Sequence, residues 1–304
     1  MKVIDYVNGK SIIGNDTKLG LVHLKVKNLK DQVRFYNLAL KMTIIEQNDD
    51  FAILGDNNNK PLLHLRKVDD LKRYERTSGM YHFALLYPNE VEFAKAVGWL
   101  MSIQYPNAPT DHGFSKTTYL KDLEGNDIEL YIRTIDRAKY IIEDGKHMVK
   151  YNDGRVTDGR DALDLKELFS TLSKEDKLDS PITKMEIGHI HLYGYNLDNM
   201  QKFYTNIIGY AEGIYMPYFQ MSDVGLNKEE NHVIAFNAWK QTNTPAPIDA
   251  VGLDFYTLTF NNEKSYNELL ERLEKNKIEI IEENNEKFIF DPSEIKIKLE
   301  LKTI

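Results

Sequence analysis

Residues 19–42 read LGLVHLKVKNLKDQVRFYNLALKM, and residues 187–210 read IGHIHLYGYNLDNMQKFYTNIIGY. At an offset of 168 the two stretches share Gly20/Gly188, His23/His191, Leu24/Leu192, Asn28/Asn196, Leu29/Leu197, Phe35/Phe203 and Tyr36/Tyr204. Each opens on alternating apolar residues, the period of a half-buried strand. Asn-Leu-Lys-Asp or Asn-Leu-Asp-Asn follows, a helix start, because an Asn side chain accepts from the unpaired N–H groups of a first turn. A helix carrying Phe-Tyr comes next.

A fainter repeat lies beside it. GMYHFALLYPNEVEFAKAVGWL begins at Gly79 and GLDFYTLTFNNEKSYNELLERL at Gly252, an offset of 173. Both read as strand, polar turn and helix. Further strand candidates, FAILG, PLLHLRKV, KTTYLKD, HVIAFNAW and KFIFDP, fill the gaps. The expected organisation is four βαβββ modules at 19–69, 79–134, 187–240 and 252–303. Paired in chain order, they predict an α+β fold with an N-terminal domain at 1–134 and a C-terminal domain at 183–304. Residues 135–182 are polar, with one helix expected around DALDLKELFSTLSK, and read as a linker.

Composition narrows the function. A chain of 304 residues accommodates two domains. Lys and Arg total 39 against 47 Asp and Glu, a net charge of −8. Nucleic-acid binding normally needs a basic footprint, so no nucleic-acid partner is expected. With no cysteine, disulfides, thiolate metal sites and a cysteine nucleophile are excluded, which leaves N and O donors for any metal. No stretch has the length of a membrane span or the apolar core of a signal peptide, so a soluble, cytoplasmic protein is expected.

The sharpest motif is DHGFSKTTYLKDLEGNDIELY, residues 111–131. It resembles the extradiol ring-cleavage signature: His, about six residues, Tyr, two residues, Asp-Pro-x-Gly, three residues, Glu. Here these are His112, Tyr119, Asp122, Gly125 and Glu129, with Leu123 in place of Pro and Thr118 in place of an apolar residue. GMYHFALLYP, IGHIHLYG and NHVIAFNAWKQTNTPAP resemble other stretches of the same family, the last keeping only His232 of a usual His run. The chain therefore resembles the vicinal oxygen chelate (glyoxalase, bleomycin resistance, extradiol dioxygenase) superfamily, in its two-domain catechol 2,3-dioxygenase-like branch. The resemblance implies glyoxalase-like domains with curled mixed sheets around a metal, Fe(II) with Mn(II) as the alternative, held by two His and one carboxylate.

The family takes ligands from the first and last strand of a module. At those registers module two offers His82 and Glu129 and module three offers His189, whereas modules one and four show Leu21, Phe255 and Lys298. Pairing modules two and three, as some members of the superfamily do, completes a triad of His82, Glu129 and His189, and this is the pairing expected here. Two other sets stay open under sequential pairing: His23 with His82 and Glu129, or Glu300 with His189 and His232. By resemblance, His112 acts as acid/base, Tyr119 donates a hydrogen bond to a substrate oxygen, and His232 is a third catalytic candidate. His191 could stand behind a ligand or be structural, His64 and His147 read as structural or solvent-exposed, and the Phe-Tyr pairs as helix packing.

The implied activity is a metal-dependent extradiol dioxygenase of aromatic catabolism. Its partners would be a small aromatic substrate and dioxygen, with a homo-oligomer open. The alternatives are a glyoxalase-type lyase or isomerase, or a small-molecule-binding resistance protein, on the same fold.

Overall fold

The computed structural model describes residues 2–4 and 6–302. After β1 (Lys2–Ile4), module one runs β2 (Lys18–Val26), α1 (Leu29–Ala39), β3 (Thr43–Gln47), β4 (Phe51–Gly55) and β5 (Pro61–Lys67). Module two is β6 (Gly79–Leu86), α2 (Glu90–Ser102), β7 (Ala108–Asp111), β8 (Ser115–Lys121) and β9 (Asp127–Arg133). Next come β10 (Ala138–Glu143), β11 (Lys146–Tyr151), β12 (Val156–Thr157), β13 (Asp161–Ala162) and α3 (Leu165–Phe169). Module three is β14 (Glu186–Tyr193), α4 (Leu197–Lys202) continued by a π-helical turn, β15 (Ala211–Met216), β16 (Met221–Gly225) and β17 (Ile234–Asn237). Module four is β18 (Gly252–Phe260), α5 (Glu263–Lys275), β19 (Ile281–Glu283), β20 (Glu286–Phe290) and β21 (Lys296–Leu301). The α+β fold of four βαβββ modules is present as the repeats imply.

An Asn opens each module helix. Asn28, Asn89, Asn196 and Asn262 all accept from backbone N–H groups of the first turn. Each such cap contributes about 1 kcal/mol. The Phe-Tyr pairs are packing residues: Tyr36 and Tyr204 are fully buried. Their hydroxyls donate to Asp122 and Asp291, 2.9 Å away in each case. Those carboxylates also receive the backbone N–H groups of the following turns, from Glu124 and Asn126 in one case and Ser293 and Ile295 in the other.

The chain forms two compact units. One holds residues 28–67 and 82–188 with β1, the other residues 6–27, 68–81 and 189–302. In the first, β13-β7-β8-β9-β6 lie side by side, β6 parallel to β9 and the remainder antiparallel. Its α1 buries Val33 and Tyr36, and α2 buries Phe93 and Val97. Within residues 135–182, β10, β11 and β12 join β1 in an antiparallel sheet. The expected helix is there as α3, preceded by strands that the polar composition concealed.

In the second unit, β14 pairs with β17 in parallel, and β16 and β15 follow antiparallel. A second run there is β19-β20-β21-β18-β2. Strands β18 and β2 are antiparallel, with Phe255 opposite His23. The first strand of module four is thus the partner of the first strand of module one. The core of this unit includes Ile190, Tyr204, Phe236, Leu258 and Leu269.

Candidate metal centre

Strand register brings the first unit's donors to one face. His82 and Ala84 share a face of β6 by alternation, and Ala84 lies opposite Glu129 on the parallel strand β9. On the next strand Glu129 lies opposite Tyr119. Three neighbouring strands therefore present His82, Glu129 and Tyr119 together. His82 and Glu129 are each 3% exposed, and Nε2 of His82 lies 3.1 Å from Oε2 of Glu129. Two donors about 2.1 Å from one ion and at right angles to each other stand about 3 Å apart, so this pair has the spacing of adjacent ligands. A buried carboxylate needs compensating charge, which a cation supplies.

Tyr119 faces the ring of His82 at 5.7 Å. Its hydroxyl is 2.9 Å from Nε2 of His112, whose Nδ1 is 2.5 Å from the carbonyl of Gly159. The carbonyl can only accept, so Nδ1 carries the proton and Nε2 accepts from Tyr119. The loop bearing His112 is tied to the segment read as a linker. Asp111 accepts from Arg137, Tyr151 and the N–H of Gly113. Gly113 has φ +77, and a Cβ there would lie 2.6 Å from Val149. Residues 137–159 thus set the position of His112.

In the second unit His189, buried to 2% exposure, lies on β14 in the same row as His191 and Tyr193. The ring of His232 meets it edge-on at 4.6 Å. His232 precedes β17 with φ +52, a left-handed turn that breaks strand alternation. Its Nδ1 is 2.5 Å from Oδ2 of Asp223, which also accepts from the Tyr6 hydroxyl at 2.6 Å. The other oxygen, Oδ1, accepts the N–H of Ile214 at 2.7 Å. Asp223 is fully buried. Gly213 makes room for it, since a Cβ there would stand 1.8 Å from Oδ1.

His189 in the second unit is, like His82 and Glu129 in the first, a buried donor. Two imidazoles and one carboxylate fit a divalent metal. His23, the alternative ligand, instead stacks on Phe255 at 3.9 Å. Glu300 accepts from the Thr259 hydroxyl at 3.1 Å. Lys298, at the register of Glu129, pairs with Glu286 and Glu300. His191 is buried and lies 2.9 Å from the Asn237 amide.

Sequence reasoning did not find Asp223, Tyr6, Gly159 or Arg137. One signal was available for Asp223, a carboxylate in an otherwise uncharged strand. Tyr6 and Gly159 have no local signature, since each reaches its partner across a long stretch of chain.

Residues 18–130 match the profile of the Glyoxalase/Bleomycin resistance protein/Dioxygenase superfamily. The Catechol-2,3-dioxygenase of Bacillus subtilis (strain 168) is 28% identical over 284 residues, which cover 92% of this chain and 95% of that protein. A solved structure from Bacillus subtilis subsp. subtilis str. 168 superposes with TM-score 0.61 at 12% identity, covering 98% of this chain and 87% of the other. Glyoxalase I from Zea mays does so with TM-score 0.54 at 14% identity, covering 93% and 92%. At such identities the two structures speak for the fold alone. Among the described residues no helix is long and apolar enough to cross a membrane. The repeated modules and the ring-cleavage motif are thus similar to those of the glyoxalase/bleomycin resistance/dioxygenase superfamily, whose profile matches residues 18–130.

Proposed function

We propose that the protein is an extradiol dioxygenase that opens a small catechol-type aromatic with dioxygen, and that His82, Glu129 and His189 hold its Fe(II) or Mn(II). The observation that carries this reading is the buried His82–Glu129 pair, Nε2 to Oε2 at 3.1 Å, with the Tyr119–His112 pair beside His82. Two His and one carboxylate suit first-row divalent ions and leave positions open for exogenous ligands. The relative named Catechol-2,3-dioxygenase supports the same choice.

When bound, the ion would supply Lewis acidity, lowering the pKa of a substrate hydroxyl and orienting the reactants. The chain's own residues do the remaining work. Tyr119 donates its one hydroxyl proton to Nε2 of His112 in the free site and turns it to a substrate oxygen when one is bound. Nδ1 of His232 is engaged by Asp223, so Nε2 is the nitrogen assigned to exchange a proton with substrate. Imidazole suits that task because its pKa lies near neutrality.

Anaerobic loading with Fe(II), followed by dioxygen uptake against a panel of catechols, tests the proposal. Uptake matched by a ring-opened product is expected. Metal-replete protein that consumes no dioxygen with any catechol would sink it.

A further inference from the structure

Strand β14 carries a row of rings away from His189. His191 and Tyr193 share its face. The ring of His191 lies 5.1 Å from Tyr81 and 5.7 Å from Trp239. Tyr81 in turn lies 5.2 Å from Tyr193 and 5.5 Å from Trp239. Hydrogen bonds hold the row in place: the Trp239 indole N–H donates to the Phe219 carbonyl at 2.7 Å, and its backbone N–H donates to Asn237 at 3.1 Å.

Lys240 closes the row. Its ammonium stands 4.3 Å from the centre of the Tyr193 ring. The side chain is half-buried, and no carboxylate among the described residues is within ion-pair distance of it. Glu75 and Arg73 act on it from further away with opposite signs, and burial holds the ammonium below the ordinary lysine range. A cation kept partly from water without a counter-ion is an unmet electrostatic demand. The aromatic faces beside it are suited to stack a ring. Four residues of strand separate His189 from Tyr193, about 13 Å, the reach of a metal-bound ring with a short side chain.

We propose that Lys240, with Tyr193, Tyr81 and Trp239, forms a subsite selecting aromatic substrates that bear an anionic side group. The proposal rests on the catechol reading above and names the substrate class within it. The ammonium pairs with the anion while the rings pack on the substrate's hydrocarbon part.

The test is equilibrium binding to anaerobic Fe(II)-loaded protein, followed by tryptophan fluorescence. The probes are a catechol with a propanoate side chain, the corresponding amide, and catechol itself. The carboxylate is expected to bind at least about tenfold tighter than the amide, as a charge-assisted contact implies. Lys240→Met is expected to bring that ratio near one, and Lys240→Arg to keep most of it. Equal binding of carboxylate and amide to the wild type, or a ratio unchanged in Lys240→Met, overturns the subsite and leaves the catechol reading standing. If none of the three probes binds, both fall.

Discussion

Nδ1 of His232 lies 2.5 Å from Oδ2 of Asp223. Because a carboxylate accepts and does not donate, this contact assigns the imidazole proton to Nδ1. Tyr6 donates to the same oxygen and stands 3.0 Å from Nδ1, while Oδ1 accepts the N–H of Ile214, so both carboxylate oxygens are held in place.

Asp223→Asn places an amide where the acceptor stood and removes the preference for that tautomer. Loss of a partner of this kind typically costs about 10–100-fold. The expected outcome is a fall in kcat of that size, with KM and metal content little changed. Tyr6→Phe is expected to follow in the same direction with a smaller effect. If kcat, metal content and thermal stability all fell together, Asp223 would be a folding residue and the positioning role would be lost.

Metal binding should depend on each of His82, Glu129 and His189. Replacing any one by Ala is expected to weaken affinity by more than the about 100-fold seen for outer partners. Metal analysis after gel filtration reads this directly. A metal present at about 100 times its Kd adds about 2.7 kcal/mol to stability, so chelation should lower Tm by a few degrees. An alanine variant that retains full metal would remove that residue from the ligand set.

The loop carrying His112 should loosen when its tie to β10 and the residues just before it is cut. Arg137 donates to the largely buried Asp111 at 2.6 Å. Arg137→Ala is expected to cost about 1–2 kcal/mol of stability and to lower kcat while sparing metal affinity. Steady-state kinetics beside urea unfolding separate the two effects. Unchanged kcat would show that His112 does not need this anchor.

Acid stability should carry the mark of Asp291. Burial pushes its carboxyl up to about 6, against the lowering by the N–H groups of Ile295 and Ser293 and the hydroxyl of Tyr204. A pKa raised on folding means that the fold favours the protonated form. Its stabilisation is complete below the ordinary carboxylate pKa and is lost as pH rises through about 6. A shift of this size corresponds to on the order of 3 kcal/mol. Relative to Asp291→Asn, the wild type should therefore lose stability between about pH 4 and pH 7. Parallel urea profiles for the two proteins across that range would contradict it.

Much of the architecture was legible in the chain. The repeat fixed four modules, because alternation and Asn caps are local signals that depend on a few neighbouring residues. The resemblance to a superfamily that takes its ligands from the first and last strand of a module pointed to His82, Glu129 and His189. What lay beyond reach was set by contacts distant in sequence. Tyr6 meets Asp223 and His232 across more than 200 residues. The left-handed backbone at His232 breaks the alternation from which a face would be inferred. Residues 137–159 read as linker because their polarity hid strands stabilised by pairing with β1 and by packing against the His112 loop. The sequence alone determined the modules and the kinds of donor they carry, because both follow from short-range periodicity. Tertiary structure alone decided that β18 would pair with β2 and that a carboxylate would stand behind His232, because pairing and burial depend on which distant surfaces exclude water from each other.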